Sequence, residues 1–391
     1  MKAICWQGKK DLRCEVVPDP IIEDPKDAII RVTSTCICGS DLHLRNGLVP
    51  TMCLGDVLGH EPMGEVVEVG PEARAGGLNV GDRVVVPFQM ICGECEQCLA
   101  GNFSVCQVTN RNAHLAKAFF GDTTAGLFGY SHITGGYAGG QAEYMRVPYA
   151  ASTVVKVPHT GEDEKYLFLS DILPTGWQAA KFADIQPSDT VAVWGCGPVG
   201  LFTIQSAIVQ GARRVIAIDD VPERLAVAQR LGAEILDRSQ VNVIAALKEM
   251  TGGHGPEKCI DAVGIEAHGP TPVLQMIDRV QVALKLETER PVALREAIMA
   301  CKSAGTVSIP GVYGGMSNMI PMGALMNKGL TIRTGQTHVK RWTDDLLQRI
   351  DSGEIDPTFV VTHTEPLGRA PEMYGLFNDK KDGCIKVVLK P

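Results

Sequence analysis

Hydrophobic and polar positions divide the chain into two textures. Over residues 1 to about 160, short apolar or alternating runs are broken by Gly, Pro and Asp. That pattern predicts short strands, among them residues 28–33, 64–69, 83–86 and 143–147. From about residue 172, buried-strand runs alternate with helical ones. Residues 190–194 read as a strand, 198–210 as a helix, 215–219 as a strand and 222–231 as a helix stopped by Gly232. Residues 260–263 and 306–309 continue the strand series. Such alternation predicts an α/β fold, a doubly wound parallel sheet with helices on both faces. After about residue 336 one amphipathic helix, 343–350, precedes a strand-rich tail ending Val387-Val388-Leu389. The tail shares the texture of the first segment and is expected to fold back onto it. The expected division is residues 1–171 with 337–391, around a central domain of 172–336.

Composition changes this picture little. The 391 residues suit two domains, and 45% hydrophobic with 21% charged residues suits a globular chain. A net charge of −8 offers no basic field to nucleic acid or an acidic membrane, so neither is an expected partner. Residues 191–212 carry no charge, but Gly195, Gly197, Pro198 and Gly200 interrupt them, which predicts strand, turn and buried helix rather than a membrane span. Met1-Lys2-Ala3-Ile4-Cys5-Trp6 runs straight into strand-like sequence with no export signal, and a cytoplasmic location is expected. In such a chain, thirteen cysteines point to metal rather than to disulfides.

Gly195-Cys196-Gly197-Pro198-Val199-Gly200 is a G-x-G-x-x-G turn directly after a buried strand and at the start of a helix. The first glycine permits the turn, the second lets a pyrophosphate approach the backbone, and the third allows close helix packing. Nineteen residues after Gly200, at the end of the next strand, Asp219 is placed to bond the adenosine ribose. An acid there repels a 2′-phosphate and favours NAD over NADP, and Asp220 adds to that charge. Arg224 either lies along the ribose or is a solvated helix residue.

Cys92-x-x-Cys95-x-x-Cys98 followed by Cys106 places four thiols within fifteen residues. Four thiolates around one ion make a closed, structural zinc site. An iron–sulfur cluster is the rival, but the seven-residue last gap and Gln107 depart from the ferredoxin pattern. Cys38-Gly39-Ser40-Asp41-Leu42-His43 and Gly59-His60-Glu61 are less specific alone. Cys38 by itself reads more readily as a small buried hydrophobe, and His60 as a hydrogen-bonded core or loop histidine.

Taken in order and spacing, the glycine turn, the four-cysteine run, Cys-x-Gly-Ser-Asp and Gly-His-Glu resemble the zinc-dependent medium-chain dehydrogenases of the alcohol dehydrogenase superfamily. The resemblance implies a β-rich GroES-like catalytic domain beside a Rossmann domain. It implies two zinc ions per subunit, NAD as cofactor, a small alcohol or aldehyde as substrate, and a homo-oligomer, a tetramer by preference. Cys38 and His60 map onto ligands of the catalytic zinc. Where the family has a third, cysteine ligand, the stretch Leu169-Ser170-Asp171-Ile172-Leu173-Pro174-Thr175-Gly176 has Asp171. That departure, with Gly139-Gly140-Gln141-Ala142-Glu143-Tyr144 and Thr334-Gly335-Gln336-Thr337, is similar to the glutathione-independent formaldehyde dehydrogenase branch, in which this aspartate is the ligand. Carboxylate oxygen is an accepted zinc ligand and brings the same charge as thiolate.

Glu61 is expected beside the ligands, with transient ligation as the alternative. Ser40 is expected to take the substrate proton and His43 to pass it on; the plain readings are a loop hydroxyl and an exposed histidine. A polyol or sugar dehydrogenase and an NAD-binding protein without turnover are the competing functions. Residues 265–302, apolar at helical spacing over 273–286, are expected either to cover the adenine or to form a subunit contact. Residues 119–137 line the pocket or form a solvated loop. Cys5, Cys14, Cys36, Cys53, Cys196, Cys259, Cys301 and Cys384 read as structural.

Overall fold

In the computed structural model, residues 1–264, 291–313, 317 and 319–391 are described; the apolar segment 273–286 lies outside them. The chain forms two units, Met1–Pro174 with Thr337–Pro391, and Thr175–Gln336.

In the second unit, six parallel strands among the described residues form one sheet. Their spatial order is Glu234–Asp237, Arg214–Asp219, Thr190–Trp194, Lys258–Asp261, Thr306–Ile309 and Thr331–Thr334. This is the doubly wound arrangement, with the direction of winding reversing beside Thr190–Trp194, where such sheets bind nucleotides. All five residues of that strand are buried, as covering on both faces requires. Trp194, Ile216, Leu247, Ile298 and Val307 share its core. The strand predicted over 260–263 in fact spans Lys258–Asp261. It stops because the Asp261 carboxylate accepts the N–H groups of Val263 (3.0 Å) and Gly264 (3.2 Å), which turns the chain.

The first unit is organised by strand Ala28–Ile37, whose β-branched and apolar residues are nearly all buried. It pairs antiparallel with Met63–Val69 and Tyr144–Val147 over its first part, and with the C-terminal strand Lys386–Lys390 at its end. The sheet runs Val361–Pro366, Lys386–Lys390, Ala28–Ile37, Met63–Val69, Arg83–Val85, Val155–Lys156. A smaller sheet holds Leu12–Val16, Lys2–Trp6 and Asp56–Val57. The tail contains more than the expected strands. The helix Ala370–Asn378 lies between them because Met373, Tyr374 and Phe377 are needed in the core. The preceding helix starts earlier than its polar pattern predicts, at Val339, which is buried. Among the described residues no helix is long and apolar enough to cross a membrane.

Candidate metal centres and dinucleotide cradle

Strand Ala28–Ile37 delivers Cys38 to the N-terminus of the helix Gly39–Arg45. Cys38 caps that helix in an extended conformation, and its N–H donates to Asp41 Oδ2 at 2.9 Å. Strand Asp56–Val57 leads in turn to His60. Asp171 follows the short 3₁₀ turn Leu167–Ser170. These three elements, distant in sequence, place one donor atom each of Cys38, His60 and Asp171 within 4.8 Å of one another. His60 Nε2 stands 3.3 Å from Asp171 Oδ2.

The surroundings favour a cation. Burial disfavours a charged His60, yet Asp41, Asp171 and Cys38 outweigh it and hold the imidazole pKa well above its ordinary value. A spot that stabilises positive charge, with thiol, imidazole and carboxylate donors facing it, fits a zinc ion. Its second nitrogen, Nδ1, lies 3.1 Å from Asp41 Oδ1, which sets the ring orientation and leaves Nε2 toward the other donors. Asp41 is itself fully buried and near Gln141 Nε2 (3.4 Å), and Gln141 accepts from Tyr374 Oη at 2.9 Å.

Ser40 lies in the helix Gly39–Arg45 rather than in a loop. Its Oγ lies 3.3 Å from Cys38 Sγ and 3.2 Å from His60 Nε2. His43, three residues along the same helix, is buried rather than exposed, which excludes the solvated-histidine reading. Glu61 forms a fully buried ion pair with Lys386 through Oε2. Its Oε1 has no hydrogen-bond partner among the described residues. Burial raises the Glu61 carboxyl pKa against the pull of Lys386. Phe88 and Tyr130 stand edge-on to the His60 ring, each at 6.4 Å. Segment 119–137 thus divides between the two readings: Phe119 and Phe120 are exposed, whereas Leu127, Phe128 and Ser131 are buried and Tyr130 faces His60. Asp41, Gln141, Tyr374 and Lys386 had no assigned role in the sequence reading. Of these, Asp41 carried a signal at the third helical position after Cys38, where a side chain reaches back to the cap, and Lys386 one in its apolar strand.

The four remaining thiols, Cys92, Cys95, Cys98 and Cys106, also lie within 4.8 Å of one another. None is in a disulfide. Burial opposes the Cys95 thiolate, but N–H donors from Gln107 and Cys98 and the neighbouring thiols bring its pKa down to about 6. A closed set of four cysteine sulfurs packed under Ile91, Phe103 and Ala125 suits a structural zinc, which would hold them as thiolates.

The glycine turn of the second unit has the geometry of a phosphate cradle. Gly195 has φ +90°, and a Cβ at Gly200 would lie 1.9 Å from the Gly195 carbonyl oxygen. Both positions therefore require glycine. A Cβ at Gly197 would meet only Arg224 Nη1, at 3.7 Å, so the backbone there is open to close approach by a ligand. Pro198 and Val199 begin the helix Pro198–Val209, whose N-terminal N–H groups and dipole favour an anion. Arg224 is half-buried beside this turn. Asp219, buried at its strand end, accepts N–H bonds from Cys196 at Oδ2 (2.6 Å) and from Asp220 (2.8 Å) and Val221 (3.0 Å) at Oδ1. Of about four lone-pair sites on a carboxylate, roughly one is left, on Oδ2.

Comparison with known proteins agrees with both units. Residues 24–159 match the alcohol dehydrogenase GroES-like domain family, and residues 198–271 match the zinc-binding dehydrogenase family. An uncharacterised zinc-type alcohol dehydrogenase-like protein, AdhB of Bacillus subtilis, is 43% identical over the full length of both chains. The glutathione-independent formaldehyde dehydrogenase of Pseudomonas aeruginosa is 34% identical, over 96% of this chain and 94% of its own. Among solved structures, an alcohol dehydrogenase from Thermus sp. ATN1 superposes with a TM-score of 0.82 at 34% identity, covering 100% of this chain and 99% of its own. The chain belongs to the zinc-dependent medium-chain dehydrogenases of the alcohol dehydrogenase superfamily and is an oxidoreductase.

Proposed function

We propose that the protein oxidises a small alcohol or hydrated aldehyde with NAD, formaldehyde being the first candidate, and carries two zinc ions per chain. The observation that carries this reading is the meeting of Cys38, His60 and Asp171 at one buried spot, with a carboxylate where most of the family has a thiolate. The same aspartate-bearing stretch characterises the formaldehyde-oxidising branch, and the relative from Pseudomonas aeruginosa bears that activity in its name. Zinc bound by these three would supply Lewis-acid polarisation of the substrate oxygen. Ser40 Oγ, set among the ligand atoms, accepts the substrate hydroxyl proton. His43 lies at i+3 on the same helix face and receives the proton in turn. The aromatic rings of Phe88 and Tyr130 beside His60 suit a small substrate. In the other unit, Gly195, Gly197 and Gly200 with the Pro198–Val209 helix hold the pyrophosphate, and Asp219 and Arg224 hold the adenosine ribose. Cys92, Cys95, Cys98 and Cys106 hold the structural ion. A cytoplasmic tetramer is the expected setting.

The direct test is zinc content per chain measured with NAD reduction across formaldehyde, short alcohols and polyols. Two zincs with the highest kcat/KM on formaldehyde or a short alcohol supports the proposal. Preference for a polyol would move the assignment to a sugar-type dehydrogenase, and one zinc with no turnover would leave a nucleotide-binding protein.

Cofactor choice is testable at one residue. Asp219→Ser removes the charge that opposes a 2′-phosphate, and the NADP-to-NAD ratio of kcat/KM is expected to rise by roughly 10–100-fold. An unchanged ratio would show that Asp219 does not face the ribose.

A further inference from the structure

Cys53 departs from the other cysteines read as structural, because it is exposed. It is also not alone. Cys53, Asp56 and His132 each place a donor atom within 4.8 Å of the other two. This set repeats the donor types of Cys38, Asp171 and His60 in the same unit, but at the surface. We propose that Cys53, Asp56 and His132 form an additional, solvent-accessible binding site for a borderline-soft divalent cation, zinc in the first place.

The donors are already organised. Asp56 Oδ2 accepts the Cys53 N–H at 2.7 Å, which leaves Oδ1 toward His132 Nε2 at 3.1 Å. The turn carrying His132 is tied to the other segment twice, by His132 N–H to the Thr51 carbonyl (3.2 Å) and Ile133 N–H to Thr51 Oγ1 (3.1 Å). The ligands therefore come from two segments held together without metal, so binding orders little additional chain. A surface His–Asp pair alone would account for two of the three groups, and such pairs contribute about 0–1 kcal/mol. It gives no reason for a thiol at the same point. Thiolate and carboxylate together balance a divalent ion. Sulfur with imidazole selects zinc over magnesium or calcium. Three protein donors leave a position for water. His132 and Asp56 side chains are only 31% and 20% exposed, whereas Cys53 opens the site to solvent, so the ion exchanges where the buried sites hold theirs.

An ion here would clamp two segments that continue to the buried centre. Asp56 begins the stretch that ends at His60, and His132 lies two residues beyond Tyr130, whose ring meets His60.

The test uses enzyme with its tightly held zinc in place and excess metal dialysed away. Alkylation of Cys53 by iodoacetamide is followed at the peptide level with and without added micromolar zinc. Zinc is expected to slow modification of Cys53 at least about tenfold, because the thiolate is the reactive form, and magnesium is expected to have no effect. In His132→Asn and Asp56→Asn the thiol is still present, and most of the protection should disappear. By equilibrium dialysis, wild type should hold one more zinc per chain than Cys53→Ser. Equal alkylation rates with and without zinc in wild type would overturn the site. So would protection undiminished in both variants, which would mean a bare thiol–zinc contact. Because Cys53 alkylation and zinc binding are read without turnover, the result is independent of the proposed dehydrogenase activity.

Discussion

Asp171→Ala is expected to lose one of two zincs per chain and at least about 10³-fold in kcat/KM, because catalytic zinc sites rest on three protein ligands. With the carboxylate gone, only Cys38 Sγ and His60 Nε2 remain of the three donor atoms. Two neutral-to-anionic donors hold the ion weakly, and the Lewis acidity that the reaction needs leaves with it. Asp171→Cys restores a monoanionic ligand and is expected to regain the ion and much of the turnover. Asp171→Asn keeps the shape without the charge and should fall between. Metal analysis and kinetics on the best substrate check each variant, with NAD affinity as a control, since Asp219 and the glycine turn lie in the other unit. An Asp171→Ala enzyme that keeps both ions and full rate would refute Asp171 as a ligand.

What the chain reveals before folding follows the range of each interaction. The parallel sheet was legible because its central strands are runs of buried residues, such as Thr190–Trp194, separated by helices. Thr331–Thr334 escaped notice because all four of its residues are exposed at the sheet edge, where no hydrophobic pattern is demanded. The end of the strand Lys258–Asp261 was misplaced because a side-chain carboxylate, not a hydrophobic boundary, turns the chain there. In the candidate metal site, Cys38, Ser40, His43, His60 and Glu61 stand in short motifs and can be picked out by type. Asp171 has no such local signature, and only the resemblance to the formaldehyde dehydrogenase branch points to it. Groups that orient those residues were harder still. Gln141 reaches the Cys36 carbonyl and Tyr374 across more than a hundred residues of sequence, and nothing near it in the chain indicates either partner. Lys386 did leave a trace: a lysine between Ile385 and Val387-Val388-Leu389 in a strand buried from Lys386 to Leu389 must have an anion to meet.

That anion is Glu61, 325 residues away, and the pair yields the largest expected stability effect in the first unit. Side-chain exposure is 0% for Lys386 and 1% for Glu61. Burial disfavours the ammonium, but Glu61, Cys36 and Cys38 outweigh it, so the Lys386 pKa is raised and the group is charged in the folded protein. Lys386→Met leaves a carboxylate in the interior with no counter-charge, and such a loss typically costs about 3–5 kcal/mol. Denaturant unfolding is expected to show that deficit. Adding Glu61→Gln removes the orphaned charge as well, and the double variant should recover most of the stability, because a buried ion pair adds little net energy over neutral groups of similar size. Activity separates structure from function in the same series. If Glu61 only completes the ion pair, turnover returns with stability in the double variant. If its Oε1, which has no hydrogen-bond partner among the described residues, serves the neighbouring metal site, the double variant folds but stays slow. A Lys386→Met single variant as stable as wild type would mean that Glu61 meets its charge elsewhere, and the pair would lose its role in holding the C-terminal strand against the residue that follows His60.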